Sequence, residues 1–140
     1  MDPIIAVDFD GTLVRHKHPE IGDEIVGAID YCKRFADLGA RLILYTMRSD
    51  ERQPDYDGYP YTLSHAIEWC AKRGLKFWAH NCNPEQYVWT RSNKVYAHLY
   101  IDDAALGCPL VPVMGERSYV DWMRVGPMVM QWLEERKGEW

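Results

Sequence analysis

The fold of this chain follows from residues 4–12, which read Ile4-Ile5-Ala6-Val7-Asp8-Phe9-Asp10-Gly11-Thr12. The apolar run at residues 4–7 is typical of a strand buried on both faces of a parallel sheet. Two acids and a glycine come directly after it, where such a strand ends. Because α/β sheets bind their ligands beyond the carboxyl ends of the strands, the sequence predicts chemistry just after residue 7.

Outward from this run, short apolar stretches alternate with helical periods along the whole chain. Alternating strands and helices predict a parallel sheet with right-handed crossovers. We therefore predict an α/β fold: a three-layer, Rossmann-like parallel sheet of about five strands with helices on both faces, in one domain spanning residues 1–140. The predicted strands are 4–7, 41–45, 75–79, 97–101 and 110–114, and the predicted helices are 23–38, 62–73 with Thr62 as its cap, and a terminal helix with Pro127 in its first turn, ending near Lys137.

Composition narrows the class of function. The net charge of −5 and the pI near 5.5 disfavour general binding to nucleic acid, which usually requires a basic face, although a local basic pocket stays possible. No run approaches the ~20 apolar residues of a membrane helix, and no signal sequence is recognisable, so we expect a cytoplasmic protein without membrane association. Cys32 and Cys70 are expected in the core. A zinc site built from His16, His18, His80 and Cys82 is disfavoured by its spacing.

Polar residues flank three of the predicted strands. They are Asp8 and Asp10 after the first strand, Thr46 and Arg48 after the second, and Lys94 and Asp102-Asp103 before and after the fourth. We expect these side chains to meet at one edge of the sheet. Four carboxylates gathered there would repel one another unless a cation offset their charge. Oxygen ligands suit Mg²⁺, and acids with a metal and a lysine suit phosphoryl transfer.

Each of these residues also has an ordinary structural explanation. The Asp-x-Asp-Gly run at residues 8–11 is compatible with a solvated turn. Arg48 could hold a second anionic group of a substrate, and a surface ion pair is an equally good explanation of it. A calcium loop is disfavoured because Leu13 and Pro19 occupy positions where that loop needs glycine and an acid.

The run Asp8-Phe9-Asp10-Gly11-Thr12 resembles the signature of the haloacid dehalogenase (HAD) superfamily, and Thr46, Lys94 and Asp102-Asp103 match its later landmarks in order and type. The resemblance extends from residue 4 to about residue 114. It implies a Mg²⁺-dependent phosphatase in which Asp8 attacks phosphorus and forms an aspartyl-phosphate. It also implies general acid-base catalysis by Asp10.

The resemblance also implies roles for the other landmarks. Thr46 and Lys94 would hold the phosphoryl oxygens, and Gly11 and Thr12 would lie at the substrate. The metal ligands would be Asp8, Asp10 through its backbone carbonyl, Asp102 directly, and Asp103 through water or by orienting Lys94. Dehalogenases of the superfamily need neither Mg²⁺ nor a second aspartate, so the presence of Asp10 favours phosphate chemistry.

Many members of the superfamily carry a cap domain, but neither gap in this chain, 12–23 or 46–94, has room for one. An open site suits either a large substrate, such as a polynucleotide or nucleotide end, or a small sugar phosphate covered by a neighbouring subunit of a homo-oligomer. Tyr56, Tyr59 and Tyr61 could stack on a substrate, although packing within their loop is the favoured explanation. A phospho-accepting receiver domain or an inactive binding scaffold is a more remote alternative. In a receiver domain the acidic pair follows the first strand and the acceptor aspartate comes later, before the threonine and the lysine. In this chain the adjacent pair Asp102-Asp103 comes last, after Thr46 and Lys94.

Overall fold

The computed structural model describes residues 1–51 and 60–140, so Tyr56 and Tyr59 lie outside the described residues. Within these ranges the chain forms six strands, three α-helices and one 3₁₀-helix. In chain order they are β1 (Ile4–Val7), α1 (Ala28–Asp37), β2 (Arg41–Leu44), α2 (Thr62–Lys72), β3 (Ala79–His80), the 3₁₀-helix (Gln86–Val88), β4 (Leu99–Ile101), β5 (Leu110–Val111), β6 (Tyr119–Val120) and α3 (Trp122–Glu135).

The predicted α/β class is confirmed by a parallel sheet with the strand order β3-β2-β1-β4. β1 lies between β2 and β4, and its last residue, Val7, pairs with Leu44 on one side and Ile101 on the other. Among the described residues the sheet has four strands rather than about five. The predicted fifth strand is β5, which pairs antiparallel with β6 in a separate ribbon. Pro109 and Pro112 flank β5, and because proline lacks an N–H they restrict it to two residues.

The two faces of the sheet are covered differently from the prediction. Ile5 and Val7 face a core cluster to which α1, α2 and α3 all contribute, whereas Ile4 and Ala6 face a smaller cluster. The described α-helices therefore pack on one face, and segment 81–97, which contains the short 3₁₀-helix, covers the other. The strand order explains this, because successive right-handed crossovers in one direction share a face and the return from β3 to β4 must cross the opposite one.

Several element boundaries also differ from the prediction. α1 begins at Ala28, not at residue 23, because Ile25 donates its N–H to the carbonyl of Leu13 and Gly27 adopts a left-handed φ of 87°. β3 and β4 are shorter than the predicted strands, at Ala79–His80 and Leu99–Ile101.

The starts of the other two helices also differ from the prediction. α3 begins at Trp122, well before Pro127, because the carboxylate of Asp121 accepts the N–H of Met123 at 3.2 Å. Thr62 is the first residue of α2 rather than its cap, and its hydroxyl donates to the carbonyl of Ser49. The expectation that Cys32 and Cys70 are core residues is confirmed.

Candidate functional site

Three carboxylates meet where the strand order reverses. Asp8 follows β1, Asp102 and Asp103 follow β4, and the Asp8 N–H donates to the carbonyl of Ile101 at 3.0 Å, which extends the pairing of the two strands. One carboxylate oxygen from each aspartate lies within 4.8 Å of the others. This is the topological switch point at which open parallel sheets bind ligands.

The environment of Asp8 opposes its ionisation. Burial, followed by the negative charge of Asp102, raises the pKa of the Asp8 carboxyl from 3.8 to about 8. The hydrogen bond and charge of Asp103 act in the same direction, and the N–H of Phe9 opposes them. A divalent cation between the three acids would remove this cost, and their all-oxygen donor set fits a hard ion of the Mg²⁺ type.

Thr12 holds the acids in place instead of facing a substrate. Its fully buried hydroxyl donates to Asp8 Oδ2 at 3.1 Å and accepts the N–H of Asp103 at 3.3 Å. Its carbonyl accepts the indole N–H of Trp122 at 2.6 Å, which ties this turn to the start of α3. The expectation that Thr12 binds substrate is therefore wrong, because its polar groups are used within the protein.

Gly11 is required for the shape of the turn. Its φ of 80° is rarely adopted by residues with a side chain, and a Cβ here would collide with the imidazole of His16 and lie 2.6 Å from Asp103 Oδ2. Its carbonyl accepts the N–H of Val120 at 2.9 Å. Gly11 does not line the cleft at the acids, so its part in the site is to let the acids approach.

Asp10 forms an ion pair with Arg48. The sequence suggested that Arg48 binds a substrate or forms an ion pair at the surface, and neither explanation describes the observed arrangement. The Nε and Nη2 atoms of Arg48 donate to the two carboxylate oxygens of Asp10, each at 2.8 Å. Nη1 and Nη2 also donate to the carbonyls of Pro19 and Glu20, at 3.1 and 2.7 Å. Because Arg48 is only 1% exposed and does not line the cleft, the prediction that it binds substrate is wrong, and the ion pair is buried instead of lying at the surface. Asp10 lines the cleft, but its carboxylate is not one of the three clustered carboxylates.

Thr46 lines the same cleft. Its Oγ1 accepts the N–H of Arg48 at 3.1 Å, which leaves the hydroxyl hydrogen to donate elsewhere. Its own N–H donates to Asn81 Oδ1 at 2.7 Å, and Asn81 has a left-handed φ of 52°. Asn81 was predicted only as a turn residue and was not assigned to the site, although asparagine is one of the few residues that adopt this backbone conformation readily.

Lys94 does not line the cleft that contains the acids. It is exposed, and its carbonyl accepts a hydrogen bond from Gln86 at 3.1 Å. The predicted part of Lys94 in the site therefore stays a prediction.

The acids open into a cleft of about 460 Å³. Three of its lining residues, His16, His18 and Arg117, carry a cationic or titratable side chain that was not assigned to the site from the sequence. His16 Nε2 lies 3.0 Å from Asp103 Oδ2. The full lining is Asp8, Asp10, His16, His18, Thr46, Met47, Asp102, Asp103, Ala104 and Arg117.

The zinc set considered from the sequence is not formed by the described residues. His16 and His18 line the acidic cleft, whereas His80 and Cys82 do not. Within residues 1–51 and 60–140, the group of side chains with the geometry of a metal site is the aspartate trio.

Comparisons with known proteins give one informative match. No protein-family model matches the chain, and no curated protein matches it. A solved structure described as a conserved protein from Bacteroides thetaiotaomicron has 36% sequence identity and a TM-score of 0.71, over 94% of this chain and 92% of that one. The helices in the described ranges are all too short or too polar to cross a membrane.

Proposed function

We propose that this chain, which belongs to the same family as that conserved protein from Bacteroides thetaiotaomicron, is a Mg²⁺-dependent phosphatase that hydrolyses phosphoric monoesters. The description of that protein names no activity, so the proposal depends on the site. The observation that carries it is the meeting of the Asp8, Asp102 and Asp103 carboxylates within 4.8 Å, in a cleft that also holds Asp10 and the Thr46 hydroxyl.

The proposed metal ligands are Asp8 and Asp102, with Asp103 beside them. The raised pKa of Asp8 supports this, because burial and like charge mark a position that a cation would relieve. When bound, Mg²⁺ would supply positive charge against the carboxylates and the transferred phosphoryl group.

In the first proposed step, Asp8 displaces the leaving group from phosphorus. The Thr12 hydroxyl holds one oxygen of Asp8, and the other oxygen is the proposed nucleophile. A bond forms from this oxygen to phosphorus, the ester P–O bond breaks, and Asp10 gives a proton to the departing alcohol oxygen. In this proposal Arg48 holds the Asp10 carboxyl group in position through their two hydrogen bonds, and the Thr46 hydroxyl donates its hydrogen to a phosphoryl oxygen.

In the second step, water hydrolyses the aspartyl-phosphate. Asp10 takes a proton from the water as its oxygen bonds to phosphorus, and the P–O bond to Asp8 breaks. Inorganic phosphate leaves, Asp8 is again a carboxylate, and Asp10 carries the proton needed for the next cycle. The two carboxyl groups therefore complete both steps without a further acid or base.

The proposed substrate class is a phosphorylated small molecule, such as a sugar phosphate, or a phosphorylated macromolecular end. We also propose a cytoplasmic location. For a small substrate, we propose that a neighbouring subunit of a homo-oligomer covers the cleft. The exposed Trp89 packs against Tyr96 near the segment that holds Lys94, and neither aromatic ring lines the cleft.

A substrate screen tests the function directly. Phosphorylated metabolites and oligonucleotides with 3′- or 5′-phosphates are incubated with the protein, with and without Mg²⁺, and released phosphate is measured. We expect Mg²⁺-dependent release that Asp8→Asn abolishes with the fold intact, and that Asp10→Asn slows in both steps by about 10²–10⁴-fold. Unchanged turnover in Asp8→Asn would remove Asp8 from its role. Absence of release from every compound, with Mg²⁺ still bound, would favour a binding domain.

A further inference from the structure

We propose that Arg117 is the cation that binds the phosphoryl group in this cleft, in the role that the sequence gave to Lys94. The inference deepens the proposed function and rests on it for the identity of the ligand. Arg117 lines the cleft together with Asp8, Thr46 and Asp102, whereas Lys94 does not.

The turn that carries Arg117 is fastened to the loop that carries the acids. Arg117 lies in the connection between β5 and β6. On one side of it, Glu116 forms an ion pair with Arg15 at 3.8 Å. On the other side, the Tyr119 hydroxyl accepts a hydrogen bond from Arg15 at 3.3 Å, and the N–H of Val120 donates to the carbonyl of Gly11 at 2.9 Å. Arg117 is therefore held next to the cleft from both directions along the chain.

The charges in the cleft require another cation. Arg48 is engaged by Asp10, so a bound divalent ion faces the three clustered aspartates, whose three negative charges exceed its two positive charges. A phosphate monoester is a dianion near neutral pH and adds further negative charge. Without a positive group the phosphoryl oxygens would be repelled at the point where negative charge must be stabilised during transfer.

Arg117 meets this requirement among the described residues that line the cleft. It is the one lysine or arginine in that lining, and within residues 1–51 and 60–140 it makes no side-chain hydrogen bond and no ion pair with a carboxylate. Its exposed guanidinium is therefore available to a ligand, and the planar fork of an arginine matches two oxygens of a phosphate. His16 is less available, because its Nε2 is paired with Asp103.

The test compares three substitutions that remove the same charge. Inorganic phosphate is titrated calorimetrically into the Mg²⁺-loaded wild-type protein, Arg117→Gln, Lys94→Gln and Lys76→Gln, with folding checked by circular dichroism. Lys76 is an exposed lysine that does not line the cleft. We expect Arg117→Gln to weaken phosphate binding by about tenfold or more, Arg117→Lys to recover part of it, and the two lysine variants to bind as the wild type does.

Turnover of any substrate found in the screen separates this inference from the function. In Arg117→Gln we expect a raised KM and a lower kcat/KM. Phosphate binding that depends on Arg117 would support the inference even if no ester is hydrolysed. Hydrolysis that is unchanged in Arg117→Gln would overturn the inference and leave the phosphatase proposal standing. A loss of phosphate binding in Lys94→Gln but not in Arg117→Gln, or a wild type that binds no phosphate, would also overturn it.

Discussion

The buried, acidic environment of Asp8 lowers the stability of the folded protein when the Asp8 carboxyl is ionised. Its pKa in the folded protein, about 8, lies above its ordinary value of 3.8 because the carboxyl is buried beside Asp102. The folded state therefore binds the Asp8 proton more tightly than the unfolded state does. The stability associated with this proton is fully present below about pH 4 and is lost as the pH rises through about 8.

Asp8→Asn should stabilise the metal-free protein. The substitution removes the cost of ionising a buried carboxyl, so we expect a gain in the free energy of unfolding on the order of a few kcal/mol at pH 8, shrinking toward zero near pH 4. Urea unfolding in EDTA at several pH values measures the difference. Asp30→Asn, at an exposed acid on α1, is the control and should show no such pH dependence. Equal stability of Asp8→Asn and wild type at pH 8 would contradict the raised pKa.

Single residues of the site were predictable to the extent that they follow a strand. Asp8, Thr46 and Asp102 lie in the expected cleft because the carboxyl end of a parallel strand fixes where the next residue lies. Arg48 also follows a strand, but the direction of its side chain depends on the carbonyls of Pro19 and Glu20, which no local pattern reveals. Arg117 was not predicted at all, because its place depends on contacts between segments distant in sequence.

Among the structural elements, the loop after β1 depends on a glycine that permits close approach. Gly11→Ala should impair Mg²⁺ binding, because a methyl group would push against both His16 and Asp103 and would also impose about 1–2 kcal/mol of backbone strain. Gly39→Ala is a matched control, since Gly39 has a φ of 96° and nothing within 4 Å of its Cβ position. We expect both variants to lose stability but only Gly11→Ala to lose Mg²⁺ affinity in calorimetric titrations. Equal Mg²⁺ affinities in the two variants would contradict the prediction, because the added methyl group at residue 11 would then leave the metal site undisturbed.

Arg48, which follows β2, binds the loop at residues 15–22 through the carbonyls of Pro19 and Glu20. Removing the guanidinium in Arg48→Ala leaves the Asp10 carboxylate partly buried without its partner, which typically costs about 3–5 kcal/mol. Arg41→Ala provides the comparison, because Arg41 also binds two acceptors, Asp2 and Glu85, but at the surface. Loss of the Arg41 guanidinium should cost much less stability, because water and salt screen exposed ion pairs. Denaturant midpoints measure both effects, and similar losses would mean that burial does not distinguish the two arginines.

Elements with strong local patterns were predicted well, and those set by distant contacts were not. β1 has the predicted bounds because four consecutive apolar residues can be buried only in the interior of the sheet. The start of α1 was missed because residues 23–25 bind to the loop at 13–15, which the helical period of the sequence does not reveal. β5 has the apolar character of a sheet strand, yet its flanking prolines favour a short ribbon.

At the scale of the whole molecule, the position of the site is a consequence of strand order. β2 and β3 lie on one side of β1, and β4 lies on the other, so the chain must return across the sheet before it forms β4. The crevice at this reversal brings Asp8 and Asp102 together although they are far apart in sequence. A metal bound there joins the first and last strands of the sheet, and its binding energy adds to the stability of the entire domain.

Mg²⁺ should therefore raise the thermal unfolding midpoint of the wild-type protein. A ligand that binds only the folded state stabilises it by about 2.7 kcal/mol at a concentration of about 100 times its Kd, so the midpoint should rise with the logarithm of Mg²⁺ concentration. Asp102→Asn should abolish this rise because it removes a carboxylate from the trio, whereas Asp37→Asn, at an exposed acid that ends α1, should preserve it. The rise should also weaken below about pH 8, where Mg²⁺ must displace the proton of Asp8. Differential scanning calorimetry at pH 6 and pH 9 measures these effects, and an equal rise in Asp102→Asn and wild type would place the metal elsewhere in the molecule.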